Sequence, residues 1–258
     1  MSAEADLAAV HLLPTGRRAP QPVLLDPQVL EANLVLGFDP RNDQVQPFFT
    51  LRSSLLRHVN STGQQIIALT SVEPGNGKTH AAINLAAVLS RITPTVLIEL
   101  DLRRPCIASR LGLPDDQPGT DDYLQGAVEW HDTRIAIQGS DLTVHRARRP
   151  RANAQSLLAS SYLTSAIDRL RSLETRPLCI IDTPPALVSD DLALISRVAD
   201  GFLVVAEEAR TRKKALRGLA NAVGTTPIIG AILNRSLFGT VRSDHYAYYA
   251  ETACEADG

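Results

Sequence analysis

Lysine is nearly missing from this chain of 258 residues: of 26 basic residues, Lys78, Lys213 and Lys214 are the lysines, and the rest are arginines. Aromatic residues make up 4%. Cysteine is equally scarce. Cys106, Cys179 and Cys254 lie far apart with no C-x-x-C spacing, which argues against a disulfide framework or a zinc site and fits a reducing compartment. No apolar run approaches the ~18 residues that span a bilayer. The first residues, "MSAEADLAAVHLLP", carry Glu4 and Asp6 and are not expected to form a secretory signal. A net charge of -2 provides no general attraction for nucleic acid or an anionic membrane. A cytoplasmic protein with no transmembrane segment of its own is expected.

What is present is an alternation. Residues 1–42 hold prolines at 14, 20, 22, 27 and 40 and are expected to form an extended N-terminal arm, with one short helix near "PQVLEANLVL". "VQPFFTLRSSLLRHV" (45–59) repeats apolar residues at threes and fours, as a helix does. Continuous apolar runs at 65–71, 95–101, 178–182, 201–206 and 227–233 read as buried strands. Helical stretches at 78–91, 153–174 and 211–223 separate them. Such a pattern predicts an α/β fold, three-layered α/β/α, with a mostly parallel central sheet over residues 43–238. Residues 239–258 remain as a polar, acidic tail. In such folds ligands bind beyond the carboxyl ends of the strands.

The first strand end reads "SVEPGNGKTHAAINL". A strand, then the nucleotide-binding candidates Pro74-Gly75-Asn76-Gly77-Lys78-Thr79-His80 running straight into a helix, is the context of a phosphate-binding loop. Glycines let the backbone amides turn inward on an anion, and the helix N-terminus adds its positive end. Lys78 is placed to reach the β- and γ-phosphates of ATP, and the Thr79 hydroxyl to ligate Mg2+. Val72 stands where the commoner pattern has its first glycine.

The second strand end, "VLIELDLRRP", carries Glu99 and Asp101, whose alternation predicts that both face one side and hold or polarise magnesium-bound water. The third, "LCIIDTPPAL", ends on Asp182 in the manner of a Walker B aspartate. Asn234, after "GAIL", is placed either to bond the purine edge or to cap a turn. The basic run "HRARRPRAN", with Arg146, Arg148, Arg149 and Arg151, reads as a solvated loop or a contact for an acidic partner; nucleic-acid binding is the weaker reading.

Together "TSVEPGNGKT", "VLIELDLRRP", "CIIDTPP", "GAILN" and "VADGFLVV" resemble the bacterial tyrosine kinases (BY-kinases) of capsule and exopolysaccharide export, from about residue 45 to the end. The resemblance implies a P-loop fold, ATP and Mg2+ as ligands, and non-specific protein-tyrosine kinase activity. Lys78, Glu99, Asp101 and Asp182 would be the catalytic residues. It also implies autophosphorylation of a C-terminal cluster, here Tyr246, Tyr248 and Tyr249, on a neighbouring subunit of a homo-oligomer. A membrane-embedded chain-length regulator, or co-polymerase, would be the activating partner and would hold the protein at the inner face of the membrane.

The family has aspartate at the position of Glu99, as acceptor of the tyrosine proton. Its oligomer-forming helix carries E-x-x-R-x-x-R, where this chain has Gln46, Phe49 and Arg52. Two other readings stand beside the kinase. One is an ATPase switch of the same fold, signalling to the polysaccharide machinery by nucleotide state, with "HYAYYAE" as an edge strand or docking segment. The other is a partition or positioning ATPase, which would carry lysine where Glu73 stands.

Overall fold

The computed structural model describes residues 21–235, apart from 209 and 212. Seven strands run β1 Ile66–Ser71, β2 Thr95–Glu99, β3 Ile135–Ala136, β4 Leu142–His145, β5 Leu178–Asp182, β6 Gly201–Glu207 and β7 Ile228–Asn234. They form one sheet in the order β3-β4-β2-β5-β1-β6-β7. Every neighbouring pair is parallel except β3 with β4. The α/β class and the five strands agree with the sequence reading, except that β7, expected to be buried, is a partly exposed edge strand. β3 and β4 do not appear in it: two and four residues, one pair antiparallel, leave too little pattern to detect.

Nine helices surround the sheet among the described residues: α1 Pro27–Ala32, α2 Gln46–Thr62, α3 Lys78–Leu89, α4 Ile107–Leu111, α5 Thr120–Leu124, α6 Ala154–Leu158, α7 Ser161–Arg171, α8 Asp191–Ile195 and α9 Lys213–Val223. The single helix expected over 153–174 is two, because Ser160 takes an extended conformation (φ -70°, ψ 155°) and starts α7 anew. No helix among the described residues is long and apolar enough to cross a membrane.

Alternation along each strand sorts the core into two layers. Ile67 and Leu69 of β1, Leu97 of β2 and Ile180 of β5 pack with α2, α3 and α4. Ile66, Ala68, Ile98 and Ile181 face the opposite way, toward α5 to α9. α3 is buried almost all round, with only His80 partly open. Its run "AAINLAAVL" suits that place: sheet on one side, α2 and the N-terminal segment on the other.

That segment corrects the sequence reading. Residues 23–42 are not an extended arm but pack onto the domain. The Val23 amide donates to Ala136 O at 2.8 Å, and Leu25, Val35 and Val45 are buried. One buried polar residue of α3 holds them there. Asn84 Oδ1 accepts from the Leu36 and Gly37 amides at 2.7 and 2.9 Å, while Nδ2 donates to Leu34 O and His80 O. Gly37 is needed at this crossing, since a Cβ there would lie 2.6 Å from Asn84 O and 2.7 Å from the Ala87 methyl. The short helix expected near "PQVLEANLVL" is α1; the proline content did not signal that the segment is anchored.

Candidate nucleotide and magnesium site

The strand ends that carry the motifs meet at one edge of the sheet. In register, Leu69 of β1 and Glu99 of β2 both align with Asp182 of β5. From Ser71 the chain turns through the loop, with Gly75 at φ +86° and Gly77 at φ +90°, values that favour glycine. Gly77 is doubly required, because a Cβ there would run into the Asn234 side-chain amide.

Lys78 opens α3 and its ammonium lies between two carboxylates, 2.7 Å from Asp101 Oδ2 and 3.6 Å from Asp182 Oδ1. Burial alone would lower the Lys78 pKa, but the charges of Asp182 and Asp101 outweigh it and raise it. The Thr79 hydroxyl donates to Asp182 Oδ2 at 2.7 Å. Asp182 is fully buried, and burial pushes its pKa up against the opposing pull of Lys78 and Thr79. Its Oδ1 is buried without a hydrogen bond and faces the Lys78 ammonium at 3.6 Å.

Among the described residues there is no cluster of three or more His, Cys, Asp or Glu side chains to cage a metal. Thr79, Asp101 and Asp182 instead offer one hydroxyl and two carboxylates, a donor set that would suit a hydrated Mg2+.

Glu99 departs from expectation. β2 ends at Glu99, so the strand alternation that was to align it with Asp101 stops there. The Glu99 carboxylate is fully buried and spent on backbone amides: Oε1 accepts from Cys106 and Ile107 at 2.6 and 2.8 Å, and Oε2 from Ala147 at 3.0 Å. Burial pushes its pKa up to about 8 despite those three donors. Asp101 is the carboxylate that meets Lys78, its other oxygen accepting from the Arg104 amide at 3.1 Å.

Two further residues singled out in the sequence, Asn234 and His80, lie beside the loop. Asn234 reaches the loop, its Nδ2 donating to Asn76 O at 2.9 Å. His80 turns its ring to Phe48 and Asn84, leaving its backbone at the helix start. Tyr246, Tyr248 and Tyr249 lie outside the described residues.

No family model matches the chain. Tyrosine-protein kinase YwqD of Bacillus subtilis (strain 168) is 26% identical over 225 residues, which cover 85% of this chain and 92% of that relative. Tyrosine-protein kinase wzc of Salmonella typhimurium is 30% identical over 224 residues, 85% of this chain but 30% of that longer protein. The crystal structure of the VpsO kinase domain matches at 32% identity and a TM-score of 0.67, covering 81% of this chain and 96% of that one. The chain belongs to the bacterial tyrosine kinase family.

Within this BY-kinase fold, several residues escaped the sequence reading. Glu207 Oε2 accepts from Asn76 Nδ2, Arg210 and Arg235 at 3.3, 3.3 and 3.2 Å, tying the loop to the ends of β6 and β7. Arg103 makes a two-point pair with buried Asp191 at 2.7 and 3.2 Å. The basic run is largely consumed within the fold. Arg146 is fully buried and donates to Pro114 O and Gln117 O, and Arg151 pairs with Asp121 and Asp122. On α2, Arg52 lies over the Phe49 ring at 4.8 Å and donates to Val88 O. Most of these partners lie too far apart for sequence spacing to pair them.

Proposed function

We infer that this chain is an ATP- and Mg2+-dependent protein-tyrosine kinase acting in capsule or exopolysaccharide synthesis. The observation that carries the reading is the meeting of Lys78, Thr79, Asp101 and Asp182 at adjoining strand ends, in a member of the BY-kinase family. Pro74 to His80 would cradle the phosphates through their backbone amides. Asn234 Oδ1 would accept from a purine amino group, its Nδ2 being spent on the loop. Thr79, Asp182 and Asp101 would hold Mg2+, which when bound neutralises charge on the phosphates.

Phosphoryl transfer asks for positioning and charge neutralisation more than for covalent chemistry. Lys78 supplies both: its ammonium, held here by two carboxylates, would exchange them for phosphate oxygens. Tyr246, Tyr248 and Tyr249 are the proposed acceptors, on a neighbouring copy. The proposed activator is a membrane-embedded co-polymerase, which would bring the kinase to the inner face of the membrane. The match to under a third of wzc is compatible with a kinase region that works beside other protein.

The ATPase switch of the same fold remains a second reading, favoured by the commitment of Glu99 to backbone amides. Mass spectrometry of the C-terminal peptide after incubation with ATP and Mg2+ decides between them, with Lys78→Met as control. Lys78-dependent phosphate on the tyrosines is expected. Nucleotide turnover with an unmodified tail, alone and with a co-polymerase tail present, would favour the switch.

A further inference from the structure

Glu99 occupies the position from which the family resemblance expects a proton acceptor, yet no part of its carboxylate is open. Its side chain is fully buried, and both oxygens are engaged by N–H groups from two separate segments. We propose that Glu99 is a positioning residue: a clamp that closes the loop carrying Asp101 and fixes it against the segment after β4.

The geometry supports this in three ways. Cys106 and Ile107 are the N-cap and first residue of α4, which has no side-chain cap of its own. The Glu99 Oε1 atom supplies that cap from the end of β2, so the loop of residues 100–105 is tied at both ends. That loop contains Asp101, which faces Lys78, and Arg103, which pairs with Asp191. Second, Oε2 reaches across to Ala147, and Thr120 Oγ1 donates to the Glu99 carbonyl at 3.0 Å, so the same residue also holds the segment beyond β4 and the start of α5. Third, side-chain length matters. Aspartate would withdraw the carboxylate by about 1.5 Å, one C–C bond, which breaks hydrogen bonds now between 2.6 and 3.0 Å.

The proposal rests on the kinase reading for its catalytic consequence, but its structural half can be measured without it. The test compares Glu99→Asp and Glu99→Gln by amide hydrogen exchange, ADP affinity and kinase kcat and KM. If Glu99 were a general base, Asp would keep a carboxylate and Gln would not. Glu99→Gln alone would then lose about 10²-fold or more in kcat, with exchange unchanged.

The clamp predicts the reverse ranking. Gln retains an oxygen for Cys106 and Ile107 and loses only Ala147, so Glu99→Asp should be the more damaged. Its exchange should quicken at all three amides, and its kcat should fall further than that of Glu99→Gln while ADP affinity changes less than kcat. Higher turnover in Glu99→Asp than in Glu99→Gln would overturn the proposal. So would rapid exchange at Cys106, Ile107 and Ala147 in the unmutated protein, a measurement that needs no variant to fold. Absence of any phosphotransfer by the unmutated protein would count against the kinase reading instead, and the exchange ranking would still decide the clamp.

Discussion

Lys78 Nζ and Asp101 Oδ2 lie 2.7 Å apart in a buried ion pair, although 23 residues separate them and their strands are not neighbours. β5 stands between β1 and β2, and its Asp182 is the second anion against the same ammonium. Lys78, the lysine proposed to meet phosphate, is therefore also the counter-ion of two buried carboxylates.

Lys78→Met should accordingly do more than abolish ATP-dependent phosphate transfer. It leaves two buried carboxylates without their cation, a change of the kind that costs roughly 3–5 kcal/mol. Urea denaturation without nucleotide should show the loss, and unchanged stability would mean that the pair does not form in solution.

Gly75 and Gly77 should respond differently to alanine. Both have positive φ, so each pays a backbone cost of roughly 1–2 kcal/mol. A Cβ on Gly75 meets only the Arg210 guanidinium at 3.7 Å, whereas on Gly77 it collides with Asn234. Gly77→Ala should thus lose more nucleotide affinity, and Asn234→Ala should recover part of it. A double-mutant cycle on ADP binding with no coupling between positions 77 and 234 would refute this.

Asn84→Ala should free the N-terminal segment. The Leu36 and Gly37 amides lose their acceptor in a buried setting, at roughly 1–3 kcal/mol for each group left unpaired. Limited proteolysis should then cut between residues 23 and 45 before it cuts the domain, and an unchanged cleavage pattern would contradict the anchoring role.

His145 should make the fold acid-sensitive. Its ring stacks on Trp130 at 4.0 Å and its Nδ1 lies 2.7 Å from Thr133 Oγ1, whose own proton goes to Trp130 O. Burial lowers the His145 pKa from 6.5 to about 3. Below pH 6.5 the unfolded chain takes up a proton that the folded chain refuses, so this contribution is full above that pH. It drains away as pH falls toward about 3, by at most about 1.4 kcal/mol per pH unit. His145→Phe keeps the stack and should flatten the stability profile between pH 6 and about 4; an unchanged slope would show that His145 does not titrate in this way.

The legible and illegible parts of this protein divide by range. Gly75 through Thr79, the apolar strands and Asp182 were readable because their signals are local: a turn that needs glycine, a buried strand, a charge at its end. The contacts of Glu99 were not legible, because the alternation expected to align it with Asp101 ends with β2 and its donors, at 106, 107 and 147, are backbone groups that sequence does not distinguish. Asn84 was visible as one polar residue in an apolar helix, but what it holds lies 47 or more positions away. The arginines at 146 and 151 looked like a surface cluster until their acidic and carbonyl partners were seen.

The strand order also sets when the site can exist. The phosphate loop leaves the ribosome first and Asp101 soon after, but β1 and β2 touch only through β5, and β1's other neighbour is β6. More than a hundred residues must be synthesised and their loop closed before Asp182 can slide between them. Stalled nascent chains ending before Leu178 should hold no nucleotide, however long they wait, and those reaching past Glu207 should begin to. Synthesis thus carries its own safeguard: a half-made kinase has a phosphate loop but no means of using it.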